Sequence, residues 1–239
     1  ADMGAVAVIP ARYSSSRFAG KPLVDVAGKP MIMRVFEQVA ACPGIERVTV
    51  ATDDRRIFDA VVSFGGSAVM TDPDCHSGTD RVAQAVSDIE AEHVVNVQGD
   101  QVIIDPDALT RLVRALEAGA AMVTIAAPLP PDEAQDPNVV KVVCALNGDA
   151  LYFSRSPIPF ERNPGQTRLL KHVGIYGFTR PTLLRFTSLA PTPLERAESL
   201  EQLRALENGI PIRVITADGE FFEINTPGDL ERLLARWRH

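Results

Sequence analysis

The sequence predicts an α/β fold: a doubly wound, mostly parallel Rossmann-like sheet with a smaller mixed region in its second half. Three observations predict it. Short β-branched runs alternate with amphipathic stretches along most of the chain, the pattern of strands joined by crossover helices. Several runs are apolar at every position, as strands covered on both faces are. Only residues 127–165 break the rhythm, with many prolines. With 239 residues, 46% of them hydrophobic, the chain can bury a sizeable core. It reads as a single domain over 1–239, of which 127–180 is the irregular section.

The elements follow in order. A first strand is expected at Ala5–Ile9 and ends at Pro10, which has no N–H to offer a ladder. Further strands are expected at Arg47–Ala51, His93–Val97, Met122–Ala126, Val139–Val143, Val173–Phe178 and Ile212–Ile215. Apolar residues three and four apart predict helices over Met31–Ala41, Arg55–Phe64, Thr79–Glu90, Asp107–Glu117, Leu194–Glu207 and Pro227–Trp237. The last has a clear start, with Thr226 as cap, Pro227 in the first turn and Asp229 near the third helical position. The proline-rich section predicts antiparallel strands and excursions rather than another strand–helix unit.

Composition excludes several function classes. A formal charge of −7 leaves no broad basic surface for nucleic acid or an anionic membrane. Cys42, Cys75 and Cys144 are odd in number and far apart, so neither a disulfide framework nor a zinc knuckle is expected. No apolar run approaches a membrane span, and no charged n-region precedes a signal-peptide core. A soluble protein of the reducing cytoplasm is the expectation.

Against that charge, the loop after the first strand is an anomaly. Between Arg12 and Arg34 there are five basic residues (Arg12, Arg17, Lys21, Lys29, Arg34) and one acid, Asp25, a local charge of +4. Ser14, Ser15, Ser16, Ala19 and Gly20 allow backbone N–H groups to approach an anion, while arginine and lysine supply charge. Ligands of such sheets bind beyond the carboxyl ends of the strands, where this loop lies. Two phosphate motifs are excluded. No G-x-G-x-x-G follows the strand, and both GK pairs are followed by proline with no glycine five residues earlier.

A second stretch, His93 to Pro106, runs a strand into Gln98-Gly99-Asp100. Asp100 therefore sits in a turn on the same edge as the basic loop, where a carboxylate can hold Mg²⁺ against phosphates; taken alone, a turn aspartate bonding its own backbone is the commoner case. Ser77-Gly78-Thr79 is a loop and cap before a helix whose first turn holds Arg81, a cation the macrodipole disfavours there and so a candidate anion contact. His172 and Tyr176 fall four apart on one strand face.

In order along the chain, "VIPARYSSSRFAGKPLVDVAGKPMI", "ATDD", "HSGTDRVA", "VNVQGD", "VKVV", "LYFSRSPIP", "KHVGIYGF", "LERAESLEQLRALENG" and "INTPGDLE" resemble the CMP-KDO synthetases, the 3-deoxy-manno-octulosonate cytidylyltransferases. The resemblance runs from about Ala5 to Arg236. It implies a sheet of the nucleotide-diphospho-sugar transferase type, and transfer of CMP from CTP to the anomeric hydroxyl of an eight-carbon 2-keto acid sugar. Pyrophosphate release, Mg²⁺ dependence, a place in lipopolysaccharide biosynthesis and a homodimer joined through the irregular section are implied with it. Arg12, Arg17 and Lys21 would hold the triphosphate; Pro10 and Ala11 would contact cytosine; Ser77 and Arg81 would help hold the nucleotide; Asp100 would bind metal. Gln98, Arg155, His172, Tyr176, Glu198 and Gln202 match positions near the sugar.

Two departures matter. Where the family reads V-D-T-P-E-D-L, with an aspartate that binds metal, this chain has Asn225. Where the family reads V-Q-G-D-E-P, Gln101 and Val102 follow Asp100. An amide keeps an oxygen donor and loses a charge, and Glu223, two residues earlier, would share its face if the segment is extended. Three readings stay open: a cytidylyltransferase acting on KDO; one acting on another acceptor, such as an amino-KDO, a related acid sugar or a phosphonate; and a nucleotide- or sugar-binding homologue of low activity.

Overall fold

The computed structural model describes residues 4–238; residues 1–3 and 239, at the ends of the expected 1–239 unit, lie outside the described residues. The strands are β1 (Ala5–Pro10), β2 (Asp25–Val26), β3 (Lys29–Pro30), β4 (Ile45–Thr52), β5 (Ser67–Met70), β6 (His93–Asn96), β7 (Gln101–Ile103), β8 (Met122–Pro128), β9 (Lys141–Cys144), β10 (Ala150–Ser154), β11 (Leu170–Thr179), β12 (Ile212–Thr216) and β13 (Phe222–Glu223). The helices are α1 (Met31–Ala40), α2 (Arg55–Ser63), α3 (Gly78–Ala85), α4 (Pro106–Glu117), α5 (Arg180–Ser188), α6 (Pro193–Glu198), α7 (Leu203–Glu207) and α8 (Pro227–Trp237).

β1 is central. It pairs in parallel with β4 on one side and β6 on the other, and β4 continues in parallel to β5. β11 runs antiparallel between β6 and β8, and β12 pairs with β8 in parallel. The proline-rich section supplies β9 and β10, an antiparallel pair attached to the start of β11. The sheet is thus mostly parallel with one antiparallel insertion. β1 is buried over all six residues, and its alternate side chains divide between two cores. Ala5, Ala7 and Ile9 pack with α1, α2, α4 and α8, whereas Val6 and Val8 pack with α3, α5 and α7. Each fully buried valine or isoleucine contributes about 1.5–3 kcal/mol.

Close packing also explains one glycine. A Cβ at Gly177 of β11 would lie 2.6 Å from Leu112 Cδ2 and 2.8 Å from Leu116 Cδ1, so only glycine lets α4 lie on the sheet there.

Two helices differ from expectation. The helix expected to reach Glu90 ends at Ala85, after which turns in which Ser87 N donates to Gln84 O and Ile89 N donates to Val86 O bring the chain to β6. The continuous helix expected over Leu194–Glu207 is broken into α6 and α7. Ser199 stands at the break in the left-handed region (φ 52°, ψ 50°), a strained conformation for a residue with a Cβ. The carbonyls freed there are captured: Arg155 Nε donates to Glu198 O at 2.7 Å and Arg155 Nη2 donates to Ser199 O at 3.2 Å. α5 was not expected from the sequence; Thr179 caps it by accepting from Thr182 N.

Candidate active site

Ala11 leaves β1 with its N–H donating to Ala51 O at 2.9 Å, which fixes where the basic loop departs from the carboxyl edge. The loop is pinned again at its end. Gly20, in the left-handed region (φ 69°), donates its N–H to Tyr13 O at 2.9 Å, and a Cβ there would lie 3.1 Å from the Tyr13 ring. Lys21 then opens a 3-10 turn and extends its ammonium to Asp100, Nζ to Oδ2 2.8 Å. Arg12 and Arg17 are exposed, with no side-chain ion pair or hydrogen bond among the described residues.

On one side of that pair is a recess of about 160 Å³, walled by Pro10, Ala11, Arg12, Ser77, Arg81 and Gln98 and by the Cys75-His76 turn. Ser77 caps α3, accepting from Asp80 N at 3.1 Å. Gln98 donates through Nε2 to Asn96 Oδ1 at 3.2 Å and lies 3.4 Å from where a Cβ on Gly78 would be. Arg81 is buried and committed to the protein: Nη1 donates to Thr71 Oγ1 at 2.6 Å and Asp72 O at 3.2 Å, and Nη2 lies 3.7 Å from Asp53. It builds the wall of the recess and holds the 71–72 turn.

The acidic side is assembled by a two-strand ladder. Glu223 of β13 pairs with Gln101 of β7, and Ile224 N donates to Asp100 O at 3.0 Å. Asn225 follows, its own N–H donating to Asp229 Oδ2 at 2.9 Å, so the capping box of α8 fixes its place. Glu223 keeps an exposed face, and crowding of its carboxyl by the surrounding protein, followed by the charge of Asp100, raises its pKa. Asp100 Oδ1 and Gln101 Oε1 are buried without hydrogen-bond partners.

Those orphaned oxygens suit a hard cation. Among the described residues no three His, Cys, Asp or Glu side chains form a metal-holding group. A cation held by Asp100, with Glu223 and Asn225 nearby, would take the rest of its shell from phosphate and water, as Mg²⁺ commonly does.

A larger cavity of about 500 Å³ opens beyond, bounded by Gln101, His172, Glu223, Asn225, Lys171 and Asn138. His172 is held by Thr124, whose Oγ1 lies 2.8 Å from Nε2, and packs edge-on against Phe153 with ring centroids 5.0 Å apart. Burial pushes its pKa down to about 3, so the ring is neutral. Tyr176 lies 5.4 Å from His172, ring to ring, and burial followed by the charge of Glu201 raises its phenol pKa.

Of the residues matched to the sugar, only His172 lines this cavity; Gln98 lines the smaller recess, and Tyr176 lies in a separate small pocket. Gln202 is buried 4% exposed beside Tyr176, Phe186 and Glu201. Arg155 and Glu198 are drawn into each other's segment instead. Glu198 Oε1 accepts from Ser154 Oγ at 3.1 Å and Arg155 N at 2.9 Å, while the Arg155 guanidinium holds the carbonyls of Pro137, Glu198 and Ser199.

One residue was missed. The break at Ser199 swings Glu201 onto the α3 cap, with Oε1 3.3 Å from Ser77 Oγ and Oε2 accepting from Thr79 Oγ1 at 3.4 Å. Its carboxyl pKa is raised, by burial first. The "SLEQL" sequence placed Glu201 one position from Gln202, but a continuous helix would have turned it away.

A basic loop, a base-sized recess and an acidic turn, gathered at the carboxyl edge of a mostly parallel α/β sheet, define a nucleotidyltransferase. The cytidylyltransferase family profile matches residues 6–214. The 3-deoxy-manno-octulosonate cytidylyltransferase of Myxococcus xanthus (strain DK1622) is 51% identical, covering 98% of this chain and 96% of its own length. That of Anaeromyxobacter sp. (strain K) is 51% identical over 95% of each. The solved structure of a CMP:2-keto-3-deoxy-manno-octonic acid synthetase complexed with CTP superposes with a TM-score of 0.94 at 44% identity, covering 98% of both chains. A glucose-1-phosphate thymidylyltransferase from Bacillus anthracis, 17% identical with a TM-score of 0.72 over 98% of this chain and 96% of its own, shares the fold. The chain belongs to the 3-deoxy-manno-octulosonate cytidylyltransferases of the cytidylyltransferase family.

Proposed function

We propose that this chain transfers CMP from CTP to the anomeric hydroxyl of KDO and releases pyrophosphate. The observation that carries the reading is the Lys21–Asp100 pair, which joins the phosphate loop to the acidic turn between a base-sized recess and a larger polar cavity. Pro10 and Ala11 offer backbone groups to cytosine, with Ser77, Arg81 and Gln98 shaping that recess. Arg12, Arg17 and Lys21 take the triphosphate, and their charge is worth most as negative charge builds on the departing pyrophosphate. The acid sugar occupies the larger cavity, where neutral His172 gives an uncharged hydrogen bond, with Tyr176, Gln202 and Glu201 behind it. Arg155 and Glu198 act on it through the wall they hold together.

The anomeric oxygen bonds to the α-phosphorus as the bond from that phosphorus to the bridging oxygen of pyrophosphate breaks, and the hydroxyl proton passes to solvent. Catalysis is then positioning and electrostatics, with no covalent enzyme intermediate. Mg²⁺, held by Asp100 with Asn225 and Glu223 alongside, would when bound supply Lewis acidity at the reacting oxygens.

Leu146, Leu151 and Phe160, exposed by 109%, 62% and 90%, support a homodimer joined through the irregular section. No described helix is long and apolar enough to cross a membrane, and a cytoplasmic site of action is part of the same reading.

The test is pyrophosphate release with CTP or UTP, Mg²⁺ or Mn²⁺, and a panel of acid sugars. CTP with KDO should give the highest rate, and release with no acceptor in the panel would overturn the proposal. Asn225 supports a second reading, a changed acceptor or low turnover, because it removes a charge from the metal side. A rate with an amino-KDO exceeding that with KDO, or CTP binding without turnover, would favour it.

A further inference from the structure

We propose that Lys21 is a placeholder cation: in the nucleotide-free protein it neutralises Asp100, and a bound triphosphate draws the ammonium away and so opens the carboxylate to a divalent cation. This rests on Asp100 being the metal-binding carboxylate.

Lys21 Nζ and Asp100 Oδ2 are 2.8 Å apart, with side chains only 17% and 16% exposed. The two residues lie 79 positions apart, so the contact is made by the fold and not by local sequence. Gly20, locked against the Tyr13 ring, fixes the backbone from which Lys21 extends, whereas Arg12 and Arg17 stand in solvent. Lys21 is thus the one basic residue of the loop aimed at the acidic turn.

The pairing is incomplete. The ammonium serves one oxygen of Asp100 and leaves Oδ1 buried without a partner. The β7–β13 ladder brings Glu223 alongside. If Lys21 turned to phosphate with nothing in its place, the Asp100 charge would act on Glu223 with no cation beside it, a like-charge cost. A triphosphate carries more charge than one carboxylate and makes stronger charge-assisted hydrogen bonds with an ammonium. Lys21 therefore links the two ligands: each binds better when the other is present, by the same factor in both directions.

Titration of the nucleotide-free chain with Mn²⁺, read by the spin-resonance signal of free ion, tests the proposal. Lys21→Met should bind Mn²⁺ about tenfold more tightly than the parent, the scale of one well-placed ion pair. Lys21→Gln provides a second neutral side chain and should show the same gain. Lys21→Arg, which keeps the charge, should stay near the parent. CTP binding in EDTA should weaken in Lys21→Met and Lys21→Gln. If both neutral variants fold and bind Mn²⁺ no better than the parent while Asp100→Asn abolishes binding, the placeholder is overturned and the metal reading survives. If Asp100→Asn binds Mn²⁺ as the parent does, the metal reading falls and the placeholder with it.

Discussion

The guanidinium of Arg155 holds the carbonyl of Ser199, Nη2 to O 3.2 Å, at the one point where α6 gives way to α7. That contact stabilises a left-handed serine and so decides where Glu201 points. Arg155→Ala should cost about 1–3 kcal/mol, the price of leaving these carbonyls unpaired. The kinetic effect should fall on the acid sugar, raising its KM more than that of CTP, and Arg155→Lys should recover little because one ammonium cannot span three carbonyls. An equal rise in both KM values would show that the contact supports the fold alone.

Asn225→Asp restores a charge beside Asp100. Half-maximal pyrophosphate release should occur at about tenfold lower Mg²⁺, since carboxylates are the stronger ligands of this ion. An unchanged metal requirement would place the second donor elsewhere, with Glu223 the first alternative to examine by Glu223→Gln.

Gly177→Ala places a methyl group against Leu112 and Leu116. Overpacking of this kind costs about 1–3 kcal/mol, and denaturant unfolding should report it as a lower midpoint with an unchanged slope. A neutral result would mean that α4 shifts freely on the sheet.

His172 supplies a pH dependence. Its folded pKa is about 3 against an ordinary value of 6.5, so between these values the unfolded chain holds a proton that the folded chain does not. The contribution is therefore fully present above about pH 6.5 and is lost progressively as pH falls toward 3. The slope from this group approaches about 1.4 kcal/mol per pH unit at most. His172→Gln should flatten the stability profile through that window, and a profile parallel to the parent's would assign the acid sensitivity to other groups.

What was legible in the sequence was local. β1 showed itself by an apolar run ended by proline, the basic loop by charge, and the start of α8 by Thr226 and Asp229 at capping distance. What was not legible depends on partners far along the chain. Arg81 and Arg155 displayed their charge but not the carbonyls and hydroxyls that occupy it. The break at Ser199 could not be read because serine is no helix terminator by itself; a distant arginine makes it one. The short ladder of β7 and β13 has too few residues to show a period, yet it sets Glu223 beside Gln101. The hairpin of β2 and β3 turns through Ala27 (φ 53°) and Gly28 (φ 88°), where an alanine takes a position more often held by asparagine or aspartate.

That short ladder also divides the protein's competence in time. The basic loop and the smaller recess are built from residues 10–98, but β13 and the cap of α8 come only after residue 221. A chain emerging from the ribosome would thus have its basic loop and smaller recess before it had the strand that flanks Asp100. Trimming that strand from the finished protein should separate capture of CTP from its consumption.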